Sequence, residues 1–458
     1  MRGLLFFLAF VSSLPFIFIS PFNGVLVWYA FSLGNFHTLT WGFLSIFNYA
    51  WVIAIVTCIS WLCSRADPKR LPPTPLVLLT LLFALWMTIT SLFALEPTND
   101  AVWPELIRDD KVLFMCLVGY ALTTTRERVN QLIWVILLAI GIWGVKGAIL
   151  GSLRGFTMIH GPDGGMNAPN NEFGVSLIMI LPLVFYQWQL AKNRHLRRGL
   201  MVMGFLVGLA VILTYSRGAL LGVSAMAAVL WLKSRAKIPA AFLILAVAVF
   251  VYSFAPEQWF ARMNTIEKYE GESSAERRLW IWQVSLEIAE AHPLVGGGFL
   301  VTKRPAATNS VLVHTNLPRM EFPVAAHSIY FDVLSEHGWV GLALYLMIGA
   351  YSWVNCSWLV RRSRDRPELA WANTLGKMGQ AVLAGFWVGG AFQSLAYFDE
   401  YWGLLFIFDA ARRVVAREIA SPVGAFIPPM RLPASALGIG AAALAKPEEH
   451  SGYSKSRS

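Results

Sequence analysis

Apolar residues in this chain occur in long blocks rather than at the alternating positions typical of a soluble fold. The clearest blocks cover residues 74–95, 129–145, 173–188, 199–215, 238–254 and 339–360. Each is about long enough to cross the hydrocarbon core of a bilayer as a helix, at ~1.5 Å per residue. Because such blocks recur along the chain, they exclude a lone signal peptide and predict an all-α polytopic membrane protein.

The blocks and their connectors predict about twelve transmembrane helices. Ten are predicted near residues 74–95, 110–125, 129–150, 171–190, 198–216, 218–233, 238–254, 339–360, 370–395 and 401–416. Upstream, three apolar blocks cover residues 4–20, 22–36 and 46–64, and we interpret the middle one, which contains Pro and Gly, as a partial or re-entrant element. The alternative is a chain of thirteen spans with an external N-terminus.

The chain carries a formal net charge of +10, and the placement of that charge predicts its orientation. Basic residues cluster in alternate short connectors, at residues 65–70, 126–128, 192–198, 233–237, 361–366 and 412–417. The connectors between them, such as 96–107 and 396–401, contain few Lys or Arg residues. This positive-inside pattern predicts that the basic connectors face the cytoplasm. The excess charge therefore sets topology and does not indicate a nucleic-acid partner.

The same pattern divides the chain into four parts. Residues 1–254 are predicted to form N-terminal transmembrane helices with short loops, and residues 327–417 the C-terminal ones. Between them, residues 255–326 are the only stretch long enough for a small domain outside the membrane, with helical patterning at 276–292. The Pro-, Ala- and Ser-rich residues 418–458 are predicted to be a disordered cytoplasmic tail.

Arg217 is the first candidate site residue. It lies in "TYSRGALLG", between two apolar helices joined by almost no loop, on the side where positive-inside sorting disfavours arginine. It could be an interface anchor whose charged end reaches water. Alternatively, it could bind an anion at the outer membrane surface, with Tyr215 as a secondary candidate in the same polar turn.

Arg277 and Arg278 form the second candidate, in "SSAERRLWIWQ". Two cations near the start of a helix gain nothing from the helix dipole. They could form a solvated face, or they could bind phosphate, whose oxygens match the fork geometry of a guanidinium. Two further outer-side cations, Arg108 and Lys111, could contact the same anion or mark the outer rim of the membrane.

His327 is the third candidate, in "AAHSIYFDVLSEHGWVG", where the long polar segment returns to apolar helix. A histidine is more often structural, but an imidazole at the membrane boundary can exchange a proton near neutral pH. Ser328 follows it directly and is a secondary candidate. His337 lies on a different helix face, so we interpret it as structural and keep it as a weaker candidate.

The remaining polar features give little support to other chemistry. The outer loops contain no Asp-x-Asp motif or clustered carboxylates that would hold a metal ion, and the cysteines lie in apolar segments without metal-type spacing. Neither a metal nor another cofactor is therefore expected. Asn167, Asn170 and Asn171 could touch sugar hydroxyls, although capping of the helix that begins near residue 172 is the favoured interpretation.

Three motifs together resemble the O-antigen ligase and O-antigen polymerase superfamily. "HSIYFDVLSEHGWVG" matches its His-(Asn/Ser/Gln)-x9-Gly-x-x-Gly signature, while "YSRGALLG" and "SSAERRLWIWQVSLEIAEAHPLVGGGF" resemble its two arginine motifs in the same order. Other stretches, including "HTLTWGF" (37–43) and "RMNTIEKYE" (262–270), are similar to a subgroup associated with exosortase systems and named for O-glycosylation. The likeness extends from about residue 3 to residue 417.

This resemblance implies a metal-independent glycosyltransferase of the membrane-embedded GT-C type in the bacterial inner membrane, surrounded by membrane lipids. It would move a preassembled glycan from undecaprenyl diphosphate to an acceptor hydroxyl on the periplasmic face. Arg217 and Arg278 would hold the diphosphate, and His327 would activate the hydroxyl. The bond from the donor sugar to the diphosphate is already activated by its leaving group. The enzyme therefore needs only to neutralise the charge that develops on the diphosphate and to accept one proton from the attacking hydroxyl.

The resemblance leaves open which acceptor receives the glycan, and the residues leave a different class of function open as well. A lipid A core sugar is the preferred acceptor, because no extra domain for binding a protein substrate is visible; a protein Ser or Thr or a growing polysaccharide would use the same donor chemistry. Outside this class, the chain could transport lipid-linked sugars. Transporters often show internal repeats and midplane charges, whereas here no repeat is found and the candidates lie at one boundary. A purely structural membrane partner would leave the outward arginines without a purpose.

Overall fold

A computed structural model describes residues 2–39, 47–96, 100–234, 236–254, 259–260 and 273–420. Within these ranges the chain is helical and contains no β-strand. The α-helices are α1 (Arg2–Ile19), α2 (Pro21–Gly34), α3 (Tyr49–Cys63), α4 (Pro75–Leu92), α5 (Val102–Leu122), α6 (Arg126–Leu153), α7 (Asn170–Leu190), α8 (Arg194–Leu213), α9 (Arg217–Lys233), α10 (Lys237–Phe254), α11 (Ser273–Ala291), α12 (Pro305–Leu312), α13 (Ile329–Arg362), α14 (Ala370–Gly390) and α15 (Asp399–Ala420). Short 3-10 helices cover Phe36–Leu39, Val301–Lys303 and Pro367–Leu369.

Five helices of the described chain are long and apolar enough to cross a membrane, namely α4, α6, α7, α8 and α13. Shorter apolar helices cover Phe7–Ile19, Tyr49–Cys63 and Lys237–Ala246. The chain is thus a multi-pass helical membrane protein, as predicted, while the number of twelve spans and the GT-C type remain predictions. The block at 22–36 forms the separate 14-residue helix α2, which is shorter than the ~20 residues that a full crossing needs.

Some predictions fall partly outside the described ranges. The stretch "RMNTIEKYE" and most of "HTLTWGF" lie there, as do residues 255–258 and 261–272 of the predicted loop domain. The predicted tail also lies outside them from residue 421 onward.

Helix α15 is buried on every side for three turns. All residues from Glu400 to Ala411 are buried, and stacked aromatic pairs such as Phe386 with Tyr401 (ring centroids 4.0 Å apart) surround them. A buried carboxylate is costly unless it is hydrogen-bonded, and the two in this stretch have donors. Glu400 accepts from the Ser176 hydroxyl at 2.7 Å, and Asp409 accepts from the hydroxyls of Tyr120 and Tyr351 and the amide of Asn355. The membrane helices therefore pack around α15.

Glycines allow α9 and α14 to cross at very short range. A Cβ atom built on Gly222 would lie 2.8 Å from the carbonyl oxygen of Gly385, and one on Gly389 would lie 3.4 Å from that of Gly218. Small residues four apart on both helices are the usual means of close packing in membranes. Because α14 also packs against α7 and α13, this crossing fixes the start of α9, where Arg217 lies.

Helix α13 is broken at Gly338, and a backbone segment pairs with it there. Gly338 has φ 66° and ψ −170°, a conformation that glycine adopts readily. Residues 293–298 lie against the break: the amides of Gly297 and Gly298 donate to the carbonyls of Ser335 and Glu336 at 2.8 and 2.9 Å. In return, the amide of Trp339 donates to the carbonyl of Pro293 at 2.9 Å. The break thus exchanges helical hydrogen bonds for bonds to the preceding loop.

This pairing anchors residues 273–326, which we call the cap layer. Its helices α11 and α12 enclose an apolar cluster of their own, which includes Ile281, Val284, Ile288, Val301 and Val311. Beneath it, the carboxylate of Glu336 in α13 accepts from the Leu300 amide at 2.8 Å and from the Tyr397 hydroxyl at 2.6 Å. The cap layer is therefore attached to α13 through both backbone and side-chain bonds.

The α9–α14 crossing can be tested with a pair of alanine variants. We expect Gly222→Ala to lower the free energy of unfolding by about 1–3 kcal/mol, because the new methyl group would overlap backbone atoms of α14. At Gly208 on α8 a Cβ atom would meet no atom of another element within 4 Å, and alanine gains up to about 1 kcal/mol of helix propensity, so Gly208→Ala should be neutral or stabilising. Thermal unfolding in detergent measures both, and equal melting temperatures would contradict the close crossing.

The pairing at the α13 break can be tested in the same way. Gly296 and Gly155 both have positive φ, 62° and 80°, so alanine at either position costs about 1–2 kcal/mol for the left-handed backbone. Only at Gly296 would the new Cβ also lie 2.7 Å from the Gly338 nitrogen and the Ser335 oxygen. We expect Gly296→Ala to lose at least about 2 kcal/mol more than Gly155→Ala in thermal unfolding. Similar losses would mean that residues 293–298 are not held in the break.

Candidate active site

Two of the candidate segments meet at the turn that follows α14, residues 391–394. The amide of His327 donates to the Ser394 hydroxyl at 3.1 Å, and that hydroxyl in turn donates to the carboxylate of Asp332 at 3.3 Å. On the other side of the turn, the Cβ position of Gly218 lies 3.0 Å from the side-chain nitrogen of Gln393. The starts of α9 and α13 therefore converge on one short turn.

Helix α11 reaches the same place through Trp282. Its indole nitrogen donates to the carbonyl of Ala326 at 2.9 Å, and its ring stacks on Phe331 with centroids 5.0 Å apart. The ring also lies 6.1 Å from that of Phe392 in the 391–394 turn. Arg278 is one helical turn before Trp282, on the same face of α11. The segment that carries Arg278 is thus placed beside His327.

His327 occupies an unusual backbone and side-chain environment. Its φ of 49° is left-handed, a strain that non-glycine residues tolerate mainly where the surroundings impose it. The imidazole is half-buried, and its Nδ1 has no hydrogen-bond partner in the described part of the chain. Burial, and then the positive charges of Arg278 and Lys303, lower its pKa to about 4. His327 is therefore neutral at pH 7 and able to accept a proton.

Arg217 is held at the first position of α9 by the turn before it. The Ser216 hydroxyl caps the helix by accepting from the Ala219 amide at 3.2 Å. Tyr215 has a left-handed φ of 55°, and its hydroxyl donates to the Phe156 carbonyl at 2.8 Å. Tyr215 thus shapes the turn, and its hydroxyl is already committed to the protein backbone.

The three remaining predicted cations also contact other side chains of the protein. Arg108 pairs with Glu105 and with Asp109, whose carboxylate lies 2.9 Å from its Nε. Lys111 lies over the ring of Trp51 at 5.1 Å, and Arg277 is exposed and lies 5.5 Å from the ring centroid of Phe322.

Ser328 and His337 both form hydrogen bonds within the protein that stabilise α13. Ser328 is the N-cap of α13, and its hydroxyl accepts from the Tyr330 amide at 3.3 Å. His337 is fully buried, with its Nδ1 2.7 Å from the Thr90 hydroxyl and its carbonyl bonded to the Trp86 indole at 3.0 Å. His337 thus joins α4 to the broken part of α13, which agrees with its structural interpretation.

The predicted asparagine caps need a correction. The residue before α7 is Pro169, which offers no side-chain cap, and Asn170 and Asn171 lie inside the first turn. The Asn170 amide instead donates to the carbonyl of Thr214 at 2.8 Å, linking α7 to the turn before Arg217. The buried Asn167 lies outside the helix, and its amide nitrogen has no partner among the described residues.

The structure adds two charged residues that the sequence analysis did not single out. Lys303 ends the 3-10 helix of the cap layer, and its positive charge acts on His327. Glu172, in the first turn of α7, is buried and interacts electrostatically with Arg278 and Lys303. Nothing in "VTKRP" or "NNEFG" distinguishes these residues from ordinary surface charges. Their place near His327 follows only from the fold.

The segments that carry Arg217, Arg278, Lys303 and His327 form what we call the cluster. An apolar groove begins next to the cluster, between α13 and α14. Its volume is about 490 Å³. It is lined by Tyr330, Tyr345, Leu346, Gly349, Ala350, Trp353, Val354, Trp387 and Tyr401. Tyr330, three residues after His327, lines one end of the groove, and its hydroxyl donates to the Trp387 carbonyl at 3.1 Å. The groove therefore extends along α13 from the cluster into the membrane-spanning part.

No group of three or more His, Cys, Asp or Glu side chains in the described ranges is arranged to hold a metal ion. The cluster instead combines cations from separate elements with one neutral imidazole. Such a site can bind an anion and accept a proton.

Comparison with known families agrees with this chemistry. The model of a family described as O-antigen ligase matches residues 201–346, which include Arg217, Arg278 and His327. A family of unknown function (DUF5935) matches residues 1–156, and no curated protein matches the chain. The exosortase-associated subgroup remains a prediction. Residues 201–346 are therefore similar to the O-antigen ligase family, and this likeness supports a membrane enzyme of the glycan-transfer type.

Proposed function

We propose that this protein transfers a preassembled glycan from undecaprenyl diphosphate to a hydroxyl of the lipid A core at the periplasmic face of the inner membrane. The observation that carries the proposal is the meeting of three elements at the 391–394 turn. They are the start of α9 with Arg217, the Trp282 face of α11 with Arg278, and the segment that ends at His327.

In this reaction the acceptor oxygen attacks the anomeric carbon of the donor sugar. A new glycosidic bond forms while the bond from that carbon to the diphosphate oxygen breaks. His327 takes the hydroxyl proton, and Arg217 and Arg278 stabilise the charge that develops on the leaving undecaprenyl diphosphate. Water can later remove the proton from the imidazole. A direct in-line attack inverts the anomeric centre, which comparison of the donor and product linkages would test.

The apolar groove supports a lipid-linked donor. It begins at Tyr330, one turn below His327, and continues to Val354 on α13. The aromatic and aliphatic side chains along it suit an isoprenoid chain, which has no polar groups to satisfy. A lipid bound there would place its headgroup at the cluster.

The charge pattern supports a periplasmic site. Helices α9 and α13 both begin at the cluster and end in basic residues, Lys233 on α9 and Arg361 and Arg362 on α13. Basic helix ends favour the cytoplasm, so the two helix starts favour the opposite face.

Substitution of the proposed site should abolish transfer in a reconstituted system. With purified undecaprenyl-diphosphate glycan as donor and lipid A core as acceptor, we expect His327→Ala to lower kcat by about 10²–10⁴. Arg278→Ala and Arg217→Ala should also lose most of the activity, because the leaving group is no longer neutralised. His314→Ala and Arg319→Ala, which change exposed residues of the cap layer, are the matched controls. Normal transfer by His327→Ala would remove the proposed base.

The acceptor and the metal requirement are tested in the same system. Separate reactions should offer lipid A core, a candidate protein and a glycan polymer, each with and without EDTA. We expect transfer to lipid A core that is unchanged by EDTA. Transfer only to protein or polymer would assign the chain to another branch of the superfamily, and loss of transfer in EDTA would contradict a metal-free mechanism.

The lowered pKa of His327 predicts an unusual pH profile. The imidazole accepts a proton only while it is neutral, and its pKa of about 4 keeps it neutral well below its ordinary value of 6.5. Because kcat/KM reports the free enzyme, its acid limb should lie near pH 4, with activity at pH 5.5 close to that at pH 7.5. A melting curve at each pH provides the control for unfolding. A kcat/KM that falls to half its maximum near pH 6.5 would contradict a desolvated base beside two cations.

A further inference from the structure

We propose that Lys303 is a third diphosphate-binding cation of this site, supplied by the cap layer. It would contact the phosphate oxygens and stabilise the leaving group together with the two arginines. The inference rests on the proposed function, because it concerns the same donor headgroup.

The backbone that carries Lys303 is firmly held. The Lys303 amide donates to the Leu300 carbonyl at 2.8 Å, and the carbonyl of its neighbour Thr302 accepts from the Val324 amide at 3.2 Å. Val324 is three residues before His327, so the 3-10 helix lies alongside the segment that presents the imidazole. Val301 and Thr302 are buried beneath it. The position of Lys303 is therefore fixed relative to His327, while its long side chain remains outside the core.

Lys303 and the next residue, Arg304, are adjacent cations in different environments. Arg304 is 5% exposed, donates to the Gly297 carbonyl at 2.8 Å and pairs with Glu96 at 3.7 Å. Lys303 is exposed, and within the described residues its side chain forms no ion pair or hydrogen bond. The charge of Arg304 is used to hold the cap layer together. The charge of Lys303 has no such role.

The nearby carboxylates are already engaged by other donors. Both oxygens of Glu336 are bonded, to the Leu300 amide and the Tyr397 hydroxyl, and Asp332 accepts from Ser394. Glu172 is buried, and its carboxylate is bonded to its own backbone amide. All three act on the lysine at a distance without closing an ion pair with it. Lys303 is thus attracted towards the cluster and still available to an anion.

A lysine suits this third position. Arg217 and Arg278 come from the first two turns of α9 and α11 and offer planar guanidinium groups, whereas a compact ammonium on a flexible stem can follow the phosphate as the sugar leaves. A purely solubilising surface lysine would need no fixed backbone and no place beside the imidazole. The structure therefore favours a binding role over a solvated one.

Binding of undecaprenyl diphosphate without a glycan tests the proposal directly. With the full chain in lipid nanodiscs, we expect Lys303→Ala and Lys303→Gln each to weaken binding about tenfold, the loss typical of one charge-assisted hydrogen bond. Lys303→Arg should remain within about threefold of wild type, and Arg319→Ala, another exposed cation of the cap layer, should bind normally. All variants should keep the wild-type melting temperature, because Lys303 supports no packing.

The outcomes separate this inference from the proposed function. If Lys303→Ala binds the lipid as tightly as Arg319→Ala and wild type do, Lys303 is not a third diphosphate-binding cation, and the proposed roles of Arg217 and Arg278 are unaffected. An equal loss in both variants would point to general surface charge and would also overturn it. If wild type binds the lipid through Lys303 but transfers glycan to no acceptor, the proposed function fails and the binding role of Lys303 survives. If wild type does not bind the lipid at all, both fail.

Discussion

The backbone pairing between residues 293–298 and the broken helix α13 is the constraint on which the candidate site depends. Gly338 opens the helix, and the exposed carbonyls of Ser335 and Glu336 are satisfied by loop amides instead of helical ones. An unpaired backbone group inside a membrane protein is too costly to persist, so the loop must stay in the break. This one attachment sets the height of α11 and the 3-10 helix above α13. It thereby determines where Arg278 and Lys303 stand relative to His327.

Cations in this chain acquire their roles from their surroundings rather than from their type. Arg108 is matched by carboxylates of its own helix, and Arg304 joins the cap layer to Glu96 in the loop after α4. The cations near His327 act on an imidazole that is already desolvated, and the result is a base that stays neutral. A neutral base beside positive charge is what a reaction with an anionic leaving group requires, since the same cations that repel a proton attract a diphosphate.

The sequence predicted most of the helices, and it singled out Arg217, Arg278 and His327, whose roles in a site remain predictions. Apolar blocks such as 74–95 became helices because burial in lipid leaves the backbone no other solution. The burial of two polar residues between Ile329 and His337 was harder to predict, because Asp332 is buried beside Ser394 of the 391–394 turn and Glu336 beneath Leu300 of the cap layer. Lys303 could not be predicted, since its place depends on a loop inserted into a distant helix break. Local sequence carries no sign of that pairing beyond its glycines.

A cryo-electron microscopy structure of the protein in a nanodisc with undecaprenyl diphosphate bound would show directly whether the three elements form one donor site. We expect diphosphate density between Arg217 and Arg278, with His327 at its edge and the isoprenoid chain in the groove that begins at Tyr330. Density at the basic ends of α9 and α13, or between elements that do not touch the 391–394 turn, would contradict a single site for glycan transfer at this place.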